Sequence, residues 1–457
     1  MSSLVRPPGS FREIARLKLA DAHVSGALDS STERLMDGRL GAWDRLEDAE
    51  ALRERAHAAR MRVIDDLDAQ VASFRAAVEA CGGATFLAGT AEEANAYIVD
   101  VCRRRGATLA AKSKSMATEE IGLNEALEAA GVRAVETDLG EYILQLAGEH
   151  PVHIIAPAIE KTKEDVAKLL AAVDGRPVEP ELEQLTKAAR RQLRETFLAA
   201  DVGITGANFG VCETGSIVLV TNEGNGRLVS GLPQVHIALI GLERLVESLP
   251  DLAVMLRLLA RSATGQSLST YTTVISGPRR EGEVDGPEEL HVVILDNGRS
   301  KLLDGRYREM LACIRCGACL NVCPVYRRTG GAAYGPVYSG PMGAVLVPLL
   351  VGLEHAPDLP HASSLCGACS DACPVKIPLH ELLLELRRDL VESGVAPLSE
   401  RLAFWLWSHA WSSVAGYRAS TRLARLGGPF AGLAGPGRTW KSGRALPKLG
   451  RRYRDRR

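Results

Sequence analysis

Seven cysteines fall in two short runs and carry the clearest chemistry in the chain. The first run reads Cys313-Ile-Arg-Cys316-Gly-Ala-Cys319-Leu-Asn-Val-Cys323-Pro324, and the second reads Ser363-Ser-Leu-Cys366-Gly-Ala-Cys369-Ser-Asp-Ala-Cys373-Pro374. The first has the C-x2-C-x2-C-x3-C-P spacing that holds a 4Fe–4S cluster. The second repeats it with Ser363 where the leading cysteine would stand. Thiols this close in sequence wrap one iron–sulfur cube only if the backbone between them turns tightly, and Gly317 and Gly367 supply that freedom. In paired motifs of this kind the cysteine before proline ligates the other cluster. On that rule Cys313, Cys316, Cys319 and Cys373 hold one 4Fe–4S cluster. Cys323, Cys366 and Cys369 hold a second, whose fourth iron site is unassigned. Paired C-x2-C units also bind zinc, but zinc takes four ligands and here seven stand in two frames ending in Cys-Pro. A disulfide framework disperses its cysteines behind a secretion signal. These are clustered, and the opening Met-Ser-Ser-Leu-Val-Arg-Pro-Pro-Gly has no apolar core of a signal peptide.

The rest of the chain must position those thiols. Its 457 residues suggest two to four domains, and 46% apolar with 24% charged residues is a globular composition. A formal net charge of −1 gives no global attraction to nucleic acid or membrane. The longest apolar run, Gly343 to Leu353, is too short to span a bilayer and is broken by Pro348. Cys81, Cys102 and Cys212 are expected as buried thiols outside the motifs. Reduced thiols and oxygen-sensitive clusters point to the cytoplasm.

Residues 1–80 read as an N-terminal helical arm packed on the next domain. Leu52, Ile64, Leu67, Val71, Phe74 and Val78 keep mostly three- and four-residue steps. Residues 81–300 alternate short apolar runs with helical patterns, as α/β domains do. Strands are expected at Ala84–Leu87, Ala107–Ala111, Arg133–Glu136, His153–Pro157, Val202–Thr205, Ile217–Val220, Val235–Ile240 and His291–Leu295. Helices are expected near Ala91–Arg104, Ile121–Ala130, Lys163–Val173, Pro180–Ala199 and Leu242–Leu258. Residues 301–395 carry the cysteines. The stretch 324–365 between the motifs calls for intervening helices, and Leu379, Leu382, Leu383, Leu386 and Leu390 give an apolar helical face after Pro378. This is the pattern of an α-helical two-cluster ferredoxin-type module. Residues 396–457 are rich in tryptophan (Phe404-Trp-Leu-Trp407, Trp411) and then basic, ending Arg-Arg-Tyr-Arg-Asp-Arg-Arg457. Such a tail docks on a partner, stays disordered, or makes peripheral contact with an anionic membrane. No nucleic-acid motif accompanies it.

Three polar clusters sit at predicted strand ends. Lys112-Ser-Lys-Ser-Met-Ala-Thr-Glu-Glu120 is either a turn that receives an anion or a solvated loop capped by Ser115 or Thr118. Gly206-Ala-Asn-Phe-Gly-Val-Cys-Glu-Thr-Gly-Ser216 has three glycines that permit close approach of a ligand, and Glu213 within it is a candidate acid or base or an ordinary exposed carboxylate. Thr221-Asn-Glu-Gly-Asn-Gly-Arg227 reads as an Asn-Gly hairpin turn. No G-x-G-x-x-G in a strand–turn–helix frame and no Walker motif is present. The sequence assigns no catalytic residue.

Several stretches together resemble the lactate-utilisation (LUD) domain: Ala111 to Asn124, Thr137 to Ile143, His153 to Ile159, Asn208 to Leu228, Arg261 to Gln266 and Ile275 to Arg279. Followed by Cys313–Pro324 and Leu365–Pro378, their order resembles the LutB family of iron–sulfur proteins. The resemblance implies an α/β domain of the sugar-isomerase and CoA-transferase type. It also implies two partners, a cysteine-rich-domain protein and a second LUD-domain protein, with which L-lactate is oxidised to pyruvate. The three-cysteine second motif is part of the family pattern. The open iron site then takes water or the Ser363 oxygen, belongs to a three-iron cluster, or receives a ligand from a partner. An alternative function is electron transfer for another 2-hydroxy acid or a heterodisulfide-type reductase, with the LUD domain as scaffold. A regulatory iron–sulfur sensor is a third.

Overall fold

A computed structural model describes residues 10–149, 151, 157–335, 337–396 and 398–427. Residues up to Arg388 make one compact unit and those from Asp389 another.

The first unit opens with four helices, α1 (Phe11–Ala20), α2 (Ala22–Asp44), α3 (Ala49–Asp65) and α4 (Leu67–Ala80). Ser10 and Glu13 close a capping box on α1. The arm does not simply lie on the domain that follows it. α4 takes that role through Leu67, Val71, Phe74 and Val78, and the core of the other three helices also includes Phe209, Met255 and Leu258 of that domain. Phe11 and Ala15 of α1, Leu28 of α2 and Leu52 and Ala56 of α3 share a core with the distant cysteine segment, including Cys316, Cys319, Cys323, Cys369 and Cys373.

The α/β part holds two sheets. The larger is wholly parallel and contains β1 (Ala84–Ala88), β2 (Leu109–Lys112), β3 (Arg133–Glu136), β4 (Val202–Gly206), β7 (Val235–Gly241) and β10 (Glu289–Leu295), in the order β1-β10-β7-β4-β2-β3. The central strands read as continuous apolar runs, as strands covered on both faces must. The smaller sheet, β8 (Leu245–Val246), β5 (Phe209–Val211), β6 (Ser216–Thr221) and β9 (Tyr271–Ile275), is mostly antiparallel. Between the strands run α5 (Ala91–Arg104), α6 (Met116–Glu120), α7 (Leu123–Ala129), α8 (Leu139–Ala147), α9 (Lys163–Asp174), α10 (Leu182–Ala199), α11 (Asn225–Gly231) and α12 (Leu249–Thr264). Seven of the eight expected strands form. The expected strand His153–Pro157 falls almost entirely outside the described residues. The expected helix Leu242–Leu258 begins instead as a short 3-10 turn and β8, and turns helical only after Ser248, whose hydroxyl accepts from the Asp251 N–H. The hairpin expected at Thr221–Arg227 is absent: β6 runs directly into α11.

His236 on β7 is fully buried, bonded to Thr205 on β4 at 2.8 Å, with Nδ1 unpartnered. Burial lowers its pKa to about 3 from an ordinary value of 6.5. The folded state therefore refuses a proton that the unfolded chain accepts below about pH 6.5. Stability is at its full value above that pH and falls by about 1.4 kcal/mol per pH unit on descending toward pH 3. Urea titrations between pH 7 and pH 4.5 are expected to show this slope, and His236→Gln to flatten it.

The cysteine segment is helical, with α13 (Ala318–Asn321), α14 (Tyr326–Thr329), α15 (Gly340–Val351), α16 (Ala368–Asp371) and α17 (Leu379–Glu392). No strand occurs here among the described residues. Leu379, Leu382, Leu383 and Leu386 all face the core. In the second unit α18 (Leu398–Trp411) and α19 (Val414–Gly427) form a helix pair. Trp411 meets the Tyr417 ring edge-on at 5.0 Å, and Phe404, Trp405 and Trp407 are exposed. The basic end of the tail, 428–457, lies outside the described residues. Among the described residues no helix is long and apolar enough to cross a membrane.

Candidate iron–sulfur site and its adjoining cavity

Cys313, Cys316, Cys319 and Cys373 line one small cavity, with Ile314, Leu320, Val375 and Ile377 around them. The second group is kept together by the same folding. Cys323 feels the charge of Cys366, and Cys369 that of both. The loops that present the thiols depend on left-handed backbone at Gly317 (φ 76°) and Gly367 (φ 82°). Arg315, Leu365 and Lys376 also take positive φ, which costs a side-chain-bearing residue something and persists where the surroundings demand it. Backbone N–H groups are aimed at sulfur: Arg315 to Cys313 at 3.4 Å, Tyr326 to Cys323 at 3.5 Å and Ile377 to Cys373 at 3.3 Å. The two motifs share a local backbone form. Arg315 and Leu365 hold equivalent positions, each with positive φ. The Leu365 N–H donates to the Ser363 hydroxyl at 3.1 Å, as that of Arg315 donates to the Cys313 sulfur.

Burial, with the charge of Cys373 and Cys313, pushes the Cys316 thiol up to about 12. Burial likewise pushes Cys369 and Cys373 up to about 11, and Cys319 and Cys323 also rise. Thiols packed this way ionise only for a strongly cationic occupant, so the donor set fits iron–sulfur clusters. Cys212 is not among them. It sits in the apolar layer under α4, against the Gln70 carbonyl at 3.5 Å.

The N-terminal helices clamp these loops through their carbonyls. Arg39 donates to Ala372 at 3.0 Å, Arg53 to Cys373 at 2.9 Å and to Asp371 at 3.1 Å, and His57 contacts Val375 at 2.9 Å. Arg60 is fully buried and donates to the carbonyls of Leu311 (3.1 Å), Ala312 (3.3 Å), Leu245 (2.5 Å) and Glu243.

A larger cavity of about 280 Å³ adjoins the thiols, and Arg315 and Cys316 belong to the walls of both. It lies at the carboxyl ends of β2, β3, β4, β7 and β10, which contribute Ser113 to Ala117, Asp138, Gly206 to Asn208, Gly241 with Glu243 and Arg244, and Arg299. The chain order reverses between β2 and β4, and such a switch point is where open parallel sheets bind ligands. Gly206 is required here, since a Cβ would stand 2.6 Å from the Ser115 hydroxyl. At the wall facing the thiols, Arg299 grips Glu120 with two hydrogen bonds (2.9 and 2.7 Å) and lies 2.8 Å from Glu243. Arg315 pairs with Glu243 at 3.1 Å and covers the Tyr338 ring, while Tyr338 donates to Glu120 at 2.5 Å. Arg244 donates to the carbonyls of Cys313 (2.8 Å) and Ile314 (3.2 Å). Burial alone would raise the Glu243 carboxyl, but Arg299, Arg315 and Arg244 hold it down at about 2.

The polar clusters seen in the sequence divide accordingly. Lys112 is fully buried between Glu119 (2.6 Å) and Glu136 (2.7 Å), away from the cavity, whereas the residues after it line the cavity. The stretch is capped by Ser115, as one expectation had it, yet it is largely buried rather than a solvated loop. Of the three glycines in 206–216 only Gly206 faces the cavity; Gly210 makes room for Phe74 and Gly215 for the backbone of α4. Glu213 is exposed and accepts from the Leu249 N–H at 3.1 Å, so it caps α12. Glu213→Gln is therefore expected to change stability by no more than about 1 kcal/mol, with no change in ligand binding or electron transfer. Sequence reasoning missed Asn225, Glu243, Arg244, Arg299, Arg315 and Tyr338, which come together only through the sheet.

The LUD domain profile matches residues 71–295, and the 4Fe-4S dicluster domain profile matches residues 309–377. Among curated relatives, proteins named lactate utilization protein B from Macrococcus caseolyticus and Bacillus velezensis are each 48% identical over 91% of this chain, and over 87% and 88% of their own length. The protein of that name from Bacillus thuringiensis is 46% identical over 96% of this chain and 94% of its own.

Proposed function

Since the chain belongs to the lactate utilization protein B family, we propose that it is the electron-carrying subunit of a multicomponent system that oxidises L-lactate to pyruvate. The observation that carries the reading is the wall shared by the thiol cavity and the larger cavity, at Arg315 and Cys316. Lactate oxidation releases two electrons, and two 4Fe–4S clusters, each a one-electron group, supply matching redox chemistry when bound. In this reading Cys313, Cys316, Cys319 and Cys373 hold the first, and Cys323, Cys366 and Cys369 the second. The partners are a cysteine-rich-domain protein and a second LUD-domain protein, and the compartment is the cytoplasm. Arg39, Arg53 and Arg60 keep the loops in place and surround the thiolates with positive charge.

The test is anaerobic. L-lactate is added to the iron-loaded chain, alone and with both partners, while the visible cluster absorbance is followed. Bleaching that requires the partners is the expected result. Bleaching with pyruvate formed by this chain alone would move the substrate chemistry onto it. No bleaching in the complete mixture would overturn the reading.

Ser363 is, in this reading, the residue facing the open iron of the second cluster, because its hydroxyl receives the same N–H contact as the Cys313 sulfur. Ser363→Cys is expected to alter the EPR signal of that cluster alone. An unchanged spectrum would remove Ser363 from the iron's surroundings.

A further inference from the structure

We propose that the 280 Å³ cavity, whose wall includes Cys316, is a binding site for a small carboxylate bearing a hydroxyl on the neighbouring carbon, held by Lys114 and Asn225. That the ligand is L-lactate rests on the function proposed above; the class of ligand rests on the cavity.

The cations of the far wall are already engaged. Arg244 is held by backbone carbonyls, Arg299 by Glu120 and Glu243, and Arg315 by Glu243. Three guanidiniums against two carboxylates still leave this wall with a positive excess. Lys114 differs. It lines the cavity half-buried and makes no hydrogen bond or salt bridge among the described residues, its charge being felt only by the buried carboxyl of Glu141. The other lining carboxylates are engaged by backbone. Asp138 accepts from Gly140 (3.0 Å) and Glu141 (3.2 Å), and Glu223 accepts from Asn222 (3.1 Å). With Glu120 counted, four cations face four carboxylates, so the cavity as a whole is close to neutral; Lys114 is the lining cation that no carboxylate hydrogen-bonds among the described residues, and it is the group that a ligand's carboxylate can meet.

Asn225 supplies the second, independent observation. It is 5% exposed, lines the same cavity, and its Oδ1 has no hydrogen-bond partner; its side-chain nitrogen likewise makes no bond among the described residues. A buried amide left unpaired is costly, and an unpaired amide lining a cavity marks where a ligand completes it. An amide offers one acceptor and a donor. A 2-hydroxy carboxylate answers both, with its hydroxyl hydrogen and a carboxylate oxygen. A 2-oxo acid has no hydrogen to give and leaves the acceptor unpaired, so the site favours the reduced member of the pair. The volume admits a small metabolite. Leu219, Leu239, Leu259 and Met116 supply the apolar remainder of the lining.

The test is a binding measurement that does not depend on turnover. The full chain, iron-loaded and with clusters reduced, is titrated anaerobically with L-lactate, pyruvate and acetate by calorimetry, and EPR spectra are recorded in parallel. L-lactate is expected to bind saturably, about tenfold tighter than pyruvate and tighter than acetate, and to perturb the signal of the first cluster. Lys114→Gln and Asn225→Ala are each expected to weaken it by about tenfold or more while the cluster absorbance is unchanged. No saturable binding, equal binding of L-lactate and acetate, or affinity unchanged in both variants would overturn the site. Binding that survives while the assembled system passes no electrons would break the proposed function and leave the site standing.

Discussion

Cys373→Ala is expected to remove about half of the iron from the loaded chain and to abolish lactate-dependent reduction. The reason lies in the crossing of the two motifs. Cys373 is sequence neighbour to Cys366 and Cys369, yet it lines the cavity of Cys313, Cys316 and Cys319. Its loss should therefore extinguish the EPR signal of the first cluster and spare the second. Cys366→Ala should do the reverse, and Cys212→Ala should change neither, because Cys212 sits in a different core layer. Iron and sulfide analysis with EPR on the three variants is the measurement. If Cys373→Ala and Cys366→Ala erased the same signal, the ligands would group by sequence and the crossed assignment would be wrong.

Arg60→Met is expected to destabilise the first unit by about 3–5 kcal/mol. One guanidinium satisfies four buried carbonyls, from Glu243 and Leu245 on one side and from Leu311 and Ala312 on the other. Methionine fills much of the volume and donates nothing, so those oxygens lose their donor in a place water does not reach. Folded domains are stable by only about 5–15 kcal/mol, so the loss is large. Arg62, two residues on, is the control. It pairs with Glu247 and Asp251 at the surface, half exposed, and Arg62→Gln should cost no more than about 1 kcal/mol. Urea unfolding followed by circular dichroism compares the two, and equal effects would show that the Arg60 clamp contributes nothing beyond an exposed pair.

The iron–sulfur motifs and most of the parallel sheet were legible because their signals are local. Fixed cysteine spacing, apolar runs such as Val235–Ile240 and the uninterrupted pattern of Ala91–Arg104 need no tertiary context. Of the second sheet only β6 was legible: β5 and β8 are only three and two residues long, too short for a periodic pattern to register. Leu242–Leu258 misled because its apolar residues suit either structure, although the Ser248-Leu-Pro-Asp251 start signal was there to be read. The cavity was not legible at all. Its wall gathers residues from five strand ends, a short helix and a cysteine loop, and nothing in the sequence states that Lys114, Asn225 and Arg315 share a space. Glu213 attracted notice for its type, and its position gave it only a cap.

The clamp between the first helices and the last cysteine loop also constrains how the protein is made. Arg39, Arg53 and His57 leave the ribosome early, and the carbonyls they hold, from Asp371 to Val375, leave it more than three hundred residues later. Until then the apolar faces of α1 to α3 have only part of the surface they bury against, the part that Phe209, Met255 and Leu258 supply. The α/β sheet can close meanwhile, but contacts spanning so much of the chain form late and slowly. Cys373 follows Cys319 by more than fifty residues, so the first cluster's ligand set stays incomplete until the second motif has been made. Between the making of Cys313 and of Cys373 the nascent chain carries partly open helices and an incomplete set of thiols together, a period in which a chaperone or an iron-delivery factor has the most to do.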